Sequence, residues 1–223
     1  MNLLAIDTST EHCSIALSLS GHLISKDILA GQRHSQLLLP LLHELLLAND
    51  VTLFQLDGIA FGAGPGSFTG LRIACGVAQG LAFATNNALI GVSTLEAIAQ
   101  KSGNNKVIAT LDARMGEIYH AAYKKNDGHW VTVSEPMVCL PQNAPALPGD
   151  NWVGCGSGFD VYTKELSHLY NEQLLDIQLG LYPHASEVAQ IAITELTKDP
   201  GIPSMDAAPI YIRNKVALKE SER

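Results

Sequence analysis

Positive charge is scarce in this sequence. Over 223 residues there are 14 Lys+Arg against 22 Asp+Glu, a formal net charge of −8. A protein that grips nucleic acid unaided neutralises phosphates with a basic patch. That class is therefore not expected, and any work on RNA or DNA needs a partner to supply the grip. Cysteine is sparse too. Cys13, Cys75, Cys139 and Cys155 form no C-x-x-C pair, and each sits in an apolar run. This predicts buried free thiols in a reducing compartment. No run of 18 apolar residues is free of Gly and polar interruptions, so no membrane span is expected. The opening MNLLAIDTST lacks a basic n-region and reaches Asp7 before a signal-like core develops. No signal peptide is expected, and the cytoplasm is the expected location. The eight histidines, at 12, 22, 34, 43, 120, 129, 168 and 184, contain no H-x-x-x-H or H-E-x-x-H spacing. No metal site is expected from them. No G-x-S-x-G elbow is present either, so no catalytic residue is predicted.

What is present is a globular composition, 47% hydrophobic and 16% charged. Residues 3–9, 12–20 and 22–30 read as three short strands, with a Ser20-Gly21 turn between the last two. Such short connections make an antiparallel meander. The pattern then alternates: a leucine-rich helix over 35–48, a strand at 57–61, a helix at 69–85, a strand at 88–92 and a helix at 93–100 capped by Ser93 or Thr94. Alternation of strands and helices implies parallel pairing. Three antiparallel strands followed by βα units is the order of a ribonuclease-H-like fold. KSGNNK (101–106) is polar and marks a boundary between residues 1–101 and 102–223. Beyond it the theme restarts. A strand ends at Asp112, ARMG turns, and strands follow at 117–123 and 129–140. Then come a helix near 158–170, a strand at 174–180 and a helix at 185–198.

Two helices are too apolar for ordinary surface helices. The leucines at 37, 38, 39, 41, 42, 45, 46 and 47 span an arc of about 200° or more at 100° per residue. Pro40 falls inside this pattern and is expected in the first turn, where its missing N–H costs little. In 69–85, nearly everything except Arg72 and Gln79 is apolar or small, and Gly70, Gly76 and Gly80 each cost roughly 1 kcal/mol against Ala. Gly70, Ala74, Ala78 and Ala82 recur every four residues, a row that permits close backbone approach. Two neighbouring helices that are apolar outside predict a protein interface. Its expected residues are Leu37, Leu38, Leu41, Leu42, Leu45, Gly70, Arg72, Ile73, Ala74, Val77 and Ala78.

The stretch GAGPGSFTG (62–70) resembles a phosphate loop but lacks the lysine of G-x-x-x-x-G-K-[ST], and Ser67 stands where G-x-G-x-x-G needs Gly. A tight strand-to-helix turn capped by Ser67 or Thr69 is the better reading. Asp7-Thr8-Ser9 and Asp112 each end a strand before a hairpin. In actin-like ATPases such hairpins bind phosphates and are usually Gly-rich. Asp7, Thr8, Ser9 and Asp112 are therefore weak nucleotide-binding candidates, with turns held by Asp and Thr side chains the preferred reading.

IDTST, RHSQLLLPLLHELL, FGAGPGSFTGLRIACGVAQGLA, GVSTLEAIA and ATLDARMGEIYHAAY, with IYIRN near the C-terminus, resemble the TsaB (YeaZ) family. The resemblance implies an α/β, actin-like (ASKHA) fold of two ribonuclease-H-like lobes, the first carrying the partner interface. It implies a non-catalytic subunit of the machinery that makes threonylcarbamoyladenosine in tRNA. The implied partners are a TsaD-type catalytic subunit, bound through the first two helices of the N-terminal lobe, and a TsaE-type ATPase. A homodimer is implied when the chain is alone, with tRNA contacted only indirectly and no cofactor of its own. The catalytic paralogue carries a histidine metal motif where this chain has Ser93-Thr94-Leu95-Glu96-Ala97. The alternative is an actin-like ATPase or small-molecule kinase using Asp7 and Asp112.

Overall fold

A computed structural model describes residues 1–198 and 201–213. The last residue of IYIRN and the tail of the second segment lie outside the described residues. The chain builds two five-stranded sheets. The first holds β1 (Leu3–Asp7), β2 (His12–Leu19), β3 (His22–Leu29), β4 (Gly58–Gly64) and β5 (Ala88–Ser93) in the order β3-β2-β1-β4-β5. The second holds β6 (Lys106–Arg114), β7 (Glu117–Asn126), β8 (His129–Cys139), β9 (Trp152–Cys155) and β10 (Leu174–Gln178) in the order β10-β9-β6-β7-β8.

The pairings repeat. In each sheet the first three strands are antiparallel neighbours, and the fourth and fifth join them in parallel. Asp7 ends β1, and Asp112 lies near the end of the topologically equivalent β6. This is the actin-like arrangement of two ribonuclease-H-like lobes.

Side-chain alternation along each strand assigns the layers. Leu4 and Ile6 of β1, with Cys13, Ile15 and Leu17 of β2, face α1 (His34–Ala48) and α2 (Phe68–Thr85). Leu3, Ala5, Ala16 and Ala60 face the other way, onto α6 (Ala185–Leu196). Small residues on both sides of that contact, Ala185, Ala189 and Ala192 included, let helix and sheet approach closely. α3 (Thr94–Ser102) turns Leu95, Ile98 and Ala99 onto Val107, Ala109 and Leu111 of the second sheet. α4 (Ser157–Val161) and α5 (Thr163–Leu169) cover that sheet's outer face through Phe159 and Leu166. The result is five layers, with α3 and α6 in the middle.

Three expectations change. The helix near 158–170 is two helices that break at Tyr162, whose φ of −116° is not helical. Pro40 sits in the seventh position of α1, not in its first turn. Both Pro40 and Gln36 are exposed, so the carbonyl that Pro40 leaves without its helical donor can turn to water. Third, the polar stretch at 101–106 separates the two sheets along the chain, but the described residues that follow it divide between them: α6 packs on the first sheet. Residues 202–213 follow it: Ile202 pairs with Leu89, and the Ile210 N–H donates to the Ala63 carbonyl at 2.7 Å.

Of the four cysteines, Cys13, Cys75 and Cys155 are buried free thiols and Cys139 is half-buried. Burial pushes all four thiols above their usual range, Cys13 to about 11. Among the described residues no helix is long and apolar enough to cross a membrane.

Candidate functional site: the outer helices and a sealed hairpin

The loop 62–70 folds down over the end of β1. A Cβ on Gly62 would fall 1.8 Å from Asp7 Oδ2, and one on Gly70 would fall 1.9 Å from the Thr8 carbonyl oxygen. Glycine is required there because backbone meets backbone or carboxyl with nothing between. Hydrogen bonds close the contact. The Thr8 hydroxyl donates to the Gly70 carbonyl at 2.7 Å, and the Ser67 N–H donates to the Ser9 carbonyl at 2.7 Å. Ser9 donates its N–H and its hydroxyl to Asp7 Oδ1 at 3.0 and 2.8 Å. Ser67 then caps α2 by accepting from the Gly70 N–H.

The hairpin is consequently sealed. Asp7, Thr8 and Ser9 are 0%, 0% and 1% exposed. Burial pushes the Asp7 carboxyl up to about 7 against the pull of the Ser9 hydrogen bonds, and Oδ2 has no hydrogen-bond partner among the described residues. The loop 62–70 covers these three residues, so a ligand reaching them would have to displace it. Asp112 is placed differently. Its carboxylate lies 3.1 Å from the exposed Arg114 guanidinium and accepts from the Arg114 N–H at 2.9 Å. Its own N–H donates to the Ser157 hydroxyl. Both aspartates serve as turn residues.

The expected interface divides into two sets. Leu38, Leu42, Leu45, Gly70, Ala74 and Ala78 point into the chain's own core and are at most 4% exposed where apolar side chains are concerned. Fully burying each leucine contributes roughly 1.5–3 kcal/mol to folding. A charge at Leu38 would report folding, not docking. The row Gly70-Ala74-Ala78-Ala82 does permit close approach, but to this chain's own first strand and sheet. Leu37, Leu41, Ile73 and Val77 are half-buried on the outer rim of that core. Arg72 is exposed, yet it stacks at 3.9 Å on Phe68 and donates to the Tyr211 hydroxyl at 2.9 Å. Gln79 donates to the Ala207 carbonyl at 2.9 Å. Those two polar side chains of α2 hold the returning C-terminal segment.

The outward apolar surface is nevertheless real. Leu39 and Leu47 of α1 are 52% and 68% exposed, and Phe83 of α2 is 78% exposed. On the same helix Gly76 and Gly80 are exposed, and a Cβ on either would meet nothing within 4 Å. Each weakens α2 by about 1 kcal/mol relative to Ala, and no contact among the described residues requires it.

The family model described as TsaD, tRNA N6-adenosine threonylcarbamoyltransferase, matches residues 25–154. The "tRNA threonylcarbamoyladenosine biosynthesis protein TsaB" of Escherichia coli is 37% identical over 99% of this chain and 98% of its own length. Its namesake in Haemophilus influenzae is 35% identical over 99% and 97%. The chain belongs to the TsaB (YeaZ) family. The structure of YeaZ from Pseudomonas aeruginosa superimposes with a TM-score of 0.84 at 37% identity, covering 94% of this chain and 99% of that one.

In this TsaB-family chain, Ser93 to Ala97, where the resemblance implies the paralogue's histidine motif, open α3. Ser93 accepts from the Glu96 N–H as the helix cap, and the Thr94 hydroxyl donates to the Pro65 carbonyl. Burial pushes the Glu96 carboxyl up to about 7. Cap hydroxyls and one carboxyl of raised pKa are a poor donor set for a transition metal. Sequence spacing missed one grouping altogether. His12, Asp27 and His184, distant along the chain, meet on one face of the first sheet.

Proposed function

We propose that this chain is a non-catalytic subunit of tRNA threonylcarbamoyladenosine biosynthesis that docks a TsaD-type threonylcarbamoyltransferase on the outer face of α1 and α2. The observation that carries the reading is the pair Gly76 and Gly80. They lie one turn apart on the exposed face of an apolar helix, they weaken it, and nothing among the described residues accounts for them. A facing helix that approaches the α2 backbone there would. The rim residues Leu37, Leu41, Ile73 and Val77 would complete the buried patch. The relatives' names, and the match of a TsaD family model to 25–154, support this choice of partner.

The same surface would serve a homodimer when the partner is missing. A TsaE-type ATPase would join the assembled pair. With a net charge of −8, this subunit would leave the tRNA to its partners. The sealed Asp7 hairpin speaks against the ATPase or kinase alternative.

Gly76→Arg and Gly80→Arg separate docking from folding. Both positions open onto solvent and arginine is a good helix former, so each variant should be as stable as the parent or gain about 0.5–1 kcal/mol. Each should weaken binding to the TsaD-type subunit at least about 30-fold, the scale of a 2 kcal/mol hot spot. Calorimetric titration against that subunit from the same organism reads this directly. Undiminished affinity in both variants would remove α2 from the interface.

A further inference from the structure

We propose that His12, Asp27 and His184 form a binding site for a divalent transition-metal ion of the zinc type, which clasps α6 to the β2–β3 hairpin.

The site is assembled by sheet geometry. In β2, His12, Ser14 and Ala16 share the face that looks toward α6. Ser14 is paired directly with Asp27 of β3, and His12 with Leu29, so His12 and Asp27 are diagonal neighbours on that face. The third ligand arrives from far along the chain. Ser14 Oγ accepts from the Ala185 N–H at 2.9 Å, which fixes the first residue of α6 over the strand. His184, the residue just before the helix, is thereby set above Asp27.

The donor atoms converge. His12 Nδ1 lies 3.2 Å from Asp27 Oδ2, and His184 Nδ1 also lies 3.2 Å from Asp27 Oδ2. All three ligand atoms lie within 4.8 Å of one another. Ligands at 2.0–2.2 Å in a tetrahedral zinc site stand about 3.3 Å apart. The two histidine–carboxylate edges already have that length, and the third edge, between the two rings, is no longer than 4.8 Å. Two imidazole nitrogens and one carboxylate oxygen suit zinc and its first-row neighbours and do not suit calcium or magnesium, which take oxygen.

The surroundings favour a ligand role over a simple hydrogen-bonded triad. His12 packs against Tyr182 with ring centroids 5.0 Å apart, which holds the ring. The Lys101 charge acts on His184 and opposes a bound cation, and the Asp27 carboxylate offsets it. Asp27 keeps 35% of its side-chain surface, so one side of the triad is open to water, as a fourth ligand requires.

The test uses the whole untagged chain, stripped with chelator. Titration with Zn²⁺ should give one equivalent of heat, and Co²⁺ should give visible bands of tetrahedral intensity. Asp27→Asn combined with His184→Gln should weaken binding at least tenfold. A second measurement needs no variant. Histidine ring ¹⁵N spectra of the parent should move at the Nδ1 of His12 and His184 on adding Zn²⁺ and leave the other six histidines in place. The proposal is overturned if the parent binds no stoichiometric Zn²⁺, if the double variant binds equally, or if the ring shifts fall on other histidines. Docking of the TsaD-type subunit is read separately, so either result stands without the other.

Discussion

Gly70→Ala should destabilise the chain by about 3 kcal/mol, the upper end of the range for overpacked cores. In an ordinary helix the same change would gain roughly 1 kcal/mol, so the sign itself is informative. The added Cβ would stand 1.9 Å from the Thr8 carbonyl oxygen. Relief requires backbone to move, because the obstacle is backbone on both sides. Moving it breaks the Thr8–Gly70 hydrogen bond, and with it the Ser67–Ser9 bond that seals the loop. Gly80→Ala is the matched control, on the same helix with open space beyond it. Urea denaturation should show the two midpoints moving in opposite directions at an unchanged m-value. Equal midpoints for Gly70→Ala and the parent would mean that the loop does not close over Thr8.

Asp7→Asn should stabilise the chain in a pH-dependent way. The carboxyl has an ordinary value of 3.8 and is pushed to about 7 when folded. Below pH 4 it is neutral in both states and contributes no difference. Between pH 4 and 7 the unfolded chain ionises while the folded chain holds its proton, so stability falls as pH rises. Above pH 7 the loss is complete and corresponds to roughly 4 kcal/mol. The amide cannot ionise and escapes this loss. Its oxygen can still accept from Ser9. The stability difference between variant and parent should therefore grow from pH 4.5 to pH 8 by up to that amount. Glu96, also raised to about 7, tilts the parent curve the same way. Buried His120, lowered to about 4, tilts it oppositely between pH 4 and 6.5. Both remain in the variant and cancel in the difference. A difference that is flat with pH would show that Asp7 is ionised in the folded chain.

Much of the element order is legible because turns and periodicity change sharply. Ser20-Gly21 and the capping Ser93 each mark a boundary that the fold respects, and the polar 101–106 separates the two sheets along the chain. Sidedness is not legible in the same way. A helix with eight leucines leaves only a thin polar strip at Gln36, His43 and Glu44, and the packed structure is what separates Leu38, Leu42 and Leu45 from Leu39 and Leu47. Gly70 and Gly80 look equivalent as letters, yet one meets a carbonyl and the other meets solvent. The destination of α6 is hidden for a different reason. Its alanines suit any close contact, so nothing in 185–196 says that the helix crosses back to the first sheet. His12, Asp27 and His184 lack a local motif for the same reason. Strand pairing brings the first two together, and that long return brings the third.

The return of α6 also fixes when the first lobe can exist. As synthesis passes residue 101, the emerged chain holds all five strands of the first sheet and the two helices on its outer side. The opposite side, with Leu3, Ala5, Ala16 and Ala60, still has no α6 against it. That cover is roughly another ninety residues of translation away, or between about 5 and 20 seconds at ordinary ribosome speeds. For that interval the nascent chain carries an open apolar sheet face, the kind of surface on which partly made chains aggregate.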